Sequence, residues 1–180
     1  GNALSFADHL EDVELMLEVG ANTVRLAHYQ QAQEFYDLCD EAGLIVWAEI
    51  PFISVMSKDP AAHDNSRLQM TELVTQNINH PSICFWGISN EITIGGESPQ
   101  LSEYLRDLNA LVKSLDDTRL TTMAQVSMLP VTSDHNEITD VVPYNHYFGW
   151  YNHTLARDEE WRDDFHARFP ERPLGISEQG

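Results

Sequence analysis

The stretch Ser82-Ile83-Cys84-Phe85-Trp86-Gly87-Ile88-Ser89-Asn90, followed at once by Glu91, decides the fold. Its apolar residues run on continuously instead of alternating with polar ones. Burial on both faces produces such a strand, and strands of that kind belong to parallel sheets covered by helices. The run ends in an amide and a carboxylate, so reactive groups gather at its C-terminal end. Working outward, the same unit recurs. Strand patterns cover Asn22 to His28, Leu44 to Ile50, Leu120 to Val126, Val141 to Tyr147 and Leu174 to Glu178. Helical patterns cover residues 8 to 19, Gln33 to Ala42, Ser66 to Asn77, Pro99 to Leu115 and Thr154 to Phe169. Gly20 and Gly43 follow the first two as stop signals. Leu10, Val13, Leu15, Leu17 and Val19 supply the apolar positions of the first helix. Leu68, Leu73 and Val74 do so for the third, and Leu101, Leu105, Leu108 and Val112 for the fourth. No clear helix precedes the fifth strand. Strands alternating with helices predict parallel βα units.

Polar and ionisable side chains crowd the ends of these strands: Arg25 and His28, Glu49, Asn90 and Glu91, Tyr144 to Tyr147, and Glu178. An open doubly wound sheet would carry a glycine-rich turn after an early strand, but the first strand here ends in His28-Tyr29-Gln30-Gln31. A (β/α)8 barrel builds its active site from the C-terminal rim. The expected fold is therefore α/β, an incomplete TIM barrel with about six of its eight strands. Such a piece exposes two sheet edges, which predicts self-association.

The 180 residues suit one domain, and 42% of them are hydrophobic, enough for a real core. Acidic residues number 29 against 10 Lys and Arg, a formal charge of −19. A surface of that sign argues against nucleic acid or an anionic membrane as partner. No apolar run approaches the roughly 18 residues of a membrane span. Cys39 and Cys84 lie in apolar stretches without a second Cys or a spaced His, so they read as buried free thiols, neither zinc ligands nor nucleophiles.

Burial at a strand end disfavours the charged form of a carboxylate, which suits Glu91 to general acid work. The plainer alternative is a carboxylate serving the following turn. Glu178, in Gly175-Ile176-Ser177-Glu178-Gln179-Gly180, is by itself an ordinary strand-end residue. Two such glutamates change the reading, because glycoside hydrolysis needs two carboxyl groups facing each other across one bond. Arg25 lies in an apolar strand and must be paired there. A guanidinium beside a carboxylate keeps the latter ionised, as a nucleophile requires, although a structural ion pair would look the same. His28 admits both a structural and a catalytic reading. Trp86, Tyr147, Trp150 and Tyr151 fit either a core or a platform for sugar rings.

Asn79 to Glu91 (NHPSICFWGISNE) closely resembles the acid/base signature of glycoside hydrolase family 2, the family of β-galactosidases, β-glucuronidases and β-mannosidases. Asn22 to Tyr29 (NTVRLAHY), with Cys39 to Leu44, resembles the family's other signature. Val142 to Tyr151 (VPYNHYFGWY) and Ile176 to Gly180 (ISEQG) match two more segments in the expected order.

The resemblance implies a retaining glycosidase acting on a carbohydrate substrate. Glu91 would be the acid/base and Glu178 the nucleophile, their carboxyl groups about 5–5.5 Å apart. Asn90 would bind the sugar 2-hydroxyl, Tyr147 would orient Glu178, and Arg25 would hold it ionised. His28 and Glu49 would line the sugar pocket and Trp150 would wall it. The six strands would be the second to the seventh, so residues 1–180 would be a partial catalytic barrel. Its first and last strands and its accessory β-sandwich domains would be lacking. Departures are Gln30, where the family usually has proline, and Gln179, where an aromatic residue is common. Some relatives bind magnesium just after the strand that here ends at Ile50. Pro51-Phe52-Ile53-Ser54-Val55 offers no ligand there, so no catalytic metal and no cofactor are expected. Glu49-Ile50-Pro51 and Phe148 to Tyr151 favour β-galactosidase over β-glucuronidase or β-mannosidase. Residues reading a glucuronate carboxylate would lie beyond Gly180. A sugar-binding fragment without turnover is the competing reading, separated from the first by whether this chain alone is active.

Overall fold

The computed structural model describes residues 3–151 and 154–179; Gly180, the last residue of the ISEQG segment, lies outside them. The elements are α1 (Phe6–Glu18), β1 (Thr23–Leu26), α2 (Gln33–Ala42), β2 (Ile45–Glu49), α3 (Pro60–Asn77), β3 (Ile83–Asn90), α4 (Pro99–Leu115), β4 (Leu120–Val126), β5 (Val142–His146), α5 (Leu155–Arg168) and β6 (Leu174–Gln179). Short 3-10 turns, Ile92–Gly95 and Asp134–Glu137, follow β3 and β4. The six strands are parallel and lie side by side in chain order, β1-β2-β3-β4-β5-β6. The sheet is curled: Arg25 on the first strand reaches Glu178 on the last, with Nη1 2.7 Å from Oε1. This is a partial TIM barrel of the α/β class. Among the described residues no helix is long and apolar enough to cross a membrane.

Strand alternation sorts the side chains into two layers. Val24, Leu26, Val46, Ala48, Trp86 and Ile88 face outward into one core, shared with Phe35, Tyr36, Met70, Leu73, Leu105 and Val112 of the helices. Val126, Val142, Tyr144 and Phe165 form a second cluster under α5. The other layer, which includes Arg25, Trp47, Glu49 and Gly87, lines the concave side. Trp86 thus belongs to the core, fully buried.

The structure differs from the sequence expectations at four places. The Leu68 side chain is 55% exposed, and Met70 takes the buried place beside Leu73 and Val74. That helix begins at Pro60, because Asp59 caps it by accepting the Ala61 N–H at 3.0 Å and proline is favoured at the first helical position. On α1 only His9 and Val13 are buried, leaving Leu10, Leu15, Leu17 and Val19 exposed. Cys39 is buried and Cys84 only partly so; both are free thiols.

Two carboxylates tie helices to the sheet. Asp40 on α2 accepts the Ser82 N–H at 2.9 Å and lies 2.7 Å from His80 Nδ1, joining α2 to the start of β3. Asp116, just after α4, accepts Trp86 Nε1 at 2.9 Å, Arg119 Nη1 at 2.8 Å and the Thr118 backbone and hydroxyl. Burial pushes the Asp116 carboxyl upward, but the bonds from Thr118, Trp86 and Arg119 outweigh it and hold the group well below the usual carboxylate range. With the folded value depressed, this stabilisation is complete above the unfolded value near 3.8 and is lost as pH falls through the lower folded one. Replacing Asp116 by Ala strands the Trp86 N–H and the Arg119 charge. Urea unfolding at pH 7 is expected to show a loss of about 3 kcal/mol, with the deficit shrinking as pH drops below 4.

Candidate active site

Arg25 is where the rim begins. Its side chain is 10% exposed, so each donor of the guanidinium fork needs a partner. Nε and Nη2 grip Glu49 in a bidentate pair at 2.9 and 3.0 Å. Nη2 also donates to Asn90 Oδ1 at 2.8 Å, and Nη1 donates to Glu178 Oε1 at 2.7 Å. The guanidinium plane sits over Trp47, 4.6 Å from the ring centre. One cation on β1 therefore touches residues of β2, β3 and β6.

Glu49 differs from expectation. It is fully buried, and both its oxygens are engaged by Arg25, with His28 Nδ1 2.6 Å from Oε1. It holds Arg25 and His28 in place instead of lining a pocket. The reason is packing: Glu49 and Trp47 lie over Gly87, where a methyl group would fall 2.6 Å from Glu49 Cβ and 2.3 Å from Trp47 Nε1. His28 follows a cis peptide after Ala27. Its side chain is partly exposed, and its Nε2 is 3.9 Å from Glu178 Oε1.

Glu178 receives Arg25 on Oε1 and the Tyr147 hydroxyl on Oε2, so each oxygen has a donor. The bond to Glu178, then burial, pushes Tyr147 up to about 12, so it remains a donor throughout the neutral range. Glu91 sits one residue beyond β3 with φ 49° and ψ 27°, a left-handed conformation uncommon outside glycine. Backbone bonds on both sides impose it. Glu91 N–H donates to Ala124 O at 2.8 Å, Asn90 N–H to Phe52 O at 3.0 Å, and Ser54 N–H to Asn90 O at 3.0 Å. The stretch Pro51 to Val55, which lacks metal ligands, is thus the brace of Asn90. Glu91 Oε1 accepts Asn145 Nδ2 at 3.0 Å.

Glu91 and Glu178 line one cavity of about 370 Å³, with Val126, Ser127, Met128, Asn145, Tyr147 and Tyr151. Trp150 is not among them. It is 72% exposed and meets Tyr151 edge-on, and the Tyr151 ring lies 5.1 Å from Tyr147. Burial pushes His146, behind this wall, down to about 4, and its Nδ1 is 2.8 Å from Ser127 Oγ. Among the described residues, three clustered acid or His ligand atoms occur at Asp37, Asp40 and His80, outside the cavity lining. Sequence reasoning gave no role to Asn145, which bonds Glu91, to Ser177, which bonds Asn145, or to Ser127, which lines the cavity. The position of Asn145 among the polar strand ends was the available signal.

This is a site with two carboxyl groups in different surroundings, one clamped by a cation and a phenol, the other bonded to a neutral amide. A family model described as "Glycosyl hydrolases family 2, TIM barrel domain" matches residues 1–180. A beta-glucuronidase of Bacteroides fragilis is 43% identical over 187 residues, taking in 100% of this chain and 26% of that protein. The crystal structure of an FMN-binding beta-glucuronidase from Facaelibacterium prausnitzii L2-6 superposes with a TM-score of 0.98 at 56% identity, over 100% of this chain and 28% of that one. A putative beta-galactosidase from Bacteroides fragilis superposes with a TM-score of 0.91 at 34% identity, over 100% and 26% of the two chains. This chain therefore spans about a quarter of the length of these relatives.

A methyl group at Gly87 would push on both Trp47 and Glu49. Gly87→Ala is expected to lower stability to urea by about 1–3 kcal/mol, the usual cost of overpacking, whereas a site with free space would show no change.

Proposed function

The chain belongs to glycoside hydrolase family 2, and on that premise we propose that it is part of the catalytic barrel of a retaining β-glucuronidase. One observation carries the reading: Glu91 and Glu178 share a cavity, but their surroundings divide the labour between them. Two carboxyl groups in unlike environments are how one site supplies both an acid and a nucleophile. Arg25 and Tyr147 orient Glu178 for attack on the anomeric carbon. Glu91 protonates the leaving oxygen as the glycosidic bond breaks and a glycosyl ester forms on Glu178. Water then attacks the same carbon, Glu91 takes its proton, and the ester is released. Asn90 Oδ1 is occupied by Arg25 and Asn145, so its amide nitrogen is the group left to donate to the sugar 2-hydroxyl.

The sugar is assigned by likeness. The 43% and 56% identical relatives named above are beta-glucuronidases, which favours a glucuronide over the galactoside suggested by the motifs alone. No Lys or Arg lines the cavity among the described residues, and Arg25 is spent on two glutamates. The cation that a glucuronate carboxylate requires then comes from elsewhere in the whole protein. There these six strands take the second to seventh places of the barrel, alongside β-sandwich domains. The putative beta-galactosidase at 34% identity keeps a galactoside as the second reading.

Matched 4-nitrophenyl glycosides distinguish the two with the full-length enzyme. The expected kcat/KM for the β-glucuronide exceeds that for the β-galactoside by about 10⁴-fold, the discrimination available to a site built around a polar group. The reverse order would make it a galactosidase. Turnover by the full-length enzyme with none from residues 1–180 alone would favour the non-catalytic, sugar-binding alternative for this chain by itself.

A further inference from the structure

Asn145 stands opposite Glu178 in the β5–β6 register, but its amide reaches the other way, to β3. The bonds around it form a chain with a direction. Arg25 can only donate, so the Asn90 atom that it meets at 2.8 Å is the carbonyl oxygen. Asn145 meets that same oxygen at 3.1 Å and Glu91 Oε1 at 3.0 Å. The Asn145 atom at this fork is therefore the nitrogen; turned over, its oxygen would face two acceptors. Ser177 secures the far end, its hydroxyl donating to Asn145 Oδ1 at 2.6 Å. Asn145 is fully buried, so no solvent competes for these bonds. The polarity set by Arg25 is thus passed through two amides to one named oxygen of Glu91.

We propose that Asn145 is the positioning residue of the acid/base step: by donating to Glu91 Oε1 it confines the transferable proton to Oε2. This rests on the reading of Glu91 as the acid. In a protonated carboxyl group the carbonyl oxygen is the better acceptor, so an N–H held against Oε1 favours the tautomer with the proton on Oε2. In the first step the Oε2–H bond breaks and the proton passes to the glycosidic oxygen, which keeps the electron pair of its broken bond to the anomeric carbon. A bond from that carbon to Glu178 forms in the same step. In the second step water adds to the carbon, the ester bond breaks with its pair returning to Glu178, and the water's proton goes to Oε2. Oε1 stays bonded to Asn145 throughout. Ser177 acts one step further back, by keeping the amide from turning over.

The test is leaving-group dependence in the full-length enzyme, because a departing group that is already a weak base needs no acid. Asn145→Ala is expected to lower kcat/KM on phenyl β-glucuronide by about 10²-fold, the lower end of what general acid catalysis contributes. On 2,4-dinitrophenyl β-glucuronide the expected loss is less than about threefold, since that step requires no proton. Ser177→Ala keeps the amide and is expected to show the same split at smaller size, which serves if Asn145→Ala does not fold. Equal losses on both substrates, or no loss on either, in whichever variant folds would overturn the proposal. Glu91→Ala is the control. If Glu91→Ala itself shows no split, the acid assignment fails; if it splits and both other variants do not, only the role of Asn145 fails.

Discussion

A guanidinium on the concave side of the sheet is the interaction on which the rest depends. A charge taken out of water must be matched by partners in good geometry, or it costs several kcal/mol. Arg25 finds them on three other strands: Glu49 on β2, Asn90 on β3 and Glu178 on β6. Meeting them requires a curled sheet, since β1 and β6 are its first and last strands. The cation thereby does structural and chemical work together. It makes a buried Glu49 tolerable, fixes which way the Asn90 amide points, and sets one oxygen of Glu178.

The proposed division of roles rests on geometry more than on residue type. Glu91 and Glu178 are chemically identical, and each stands at or just beyond the end of a parallel strand. Among the described residues, what separates them is that Arg25 on β1 and Tyr147, just after β5, reach one, while a neutral amide meets the other. The left-handed backbone at Glu91 belongs to the same design. It is enforced by bonds from β4 and from the loop after β2, so the carboxyl group is aimed by main chain. Backbone conformations of this kind persist only where the surroundings over-determine them.

Elements with strong periodicity and punctuation were legible in the sequence. Gln33–Ala42, Pro99–Leu115 and Leu120–Val126 have the boundaries that their patterns imply. Gly43, with φ 70°, closes α2 as its position suggests. The early start of α3 was written in Asp59-Pro60 but hidden by its polar first turns. Leu68 and the leucines of α1 misled because apolar spacing does not say which stripe a neighbour covers. At the site, the family motifs pointed to Arg25, His28, Glu49, Asn90, Glu91, Tyr147 and Glu178, and the structure gathers them at one rim. It could not be read that Glu49 is closed off behind Arg25, that Tyr151 and not Trp150 borders the cavity, or that Asn145 joins both halves. Each depends on how strands far apart in sequence meet. The leaning toward a galactoside rested on two short segments, Glu49 to Pro51 and Phe148 to Tyr151, whereas the 43% and 56% identical relatives are beta-glucuronidases.

The central claim is that Glu178 is the nucleophile that Arg25 and Tyr147 hold for attack. The most direct measurement is the intact mass of the full-length enzyme after incubation with an activated 2-deoxy-2-fluoro-β-glucuronide, followed by peptide mapping. One added fluoroglucuronosyl group is expected on Glu178, and none on a Glu178→Gln variant. An adduct on another residue, or one that persists in Glu178→Gln, would contradict it.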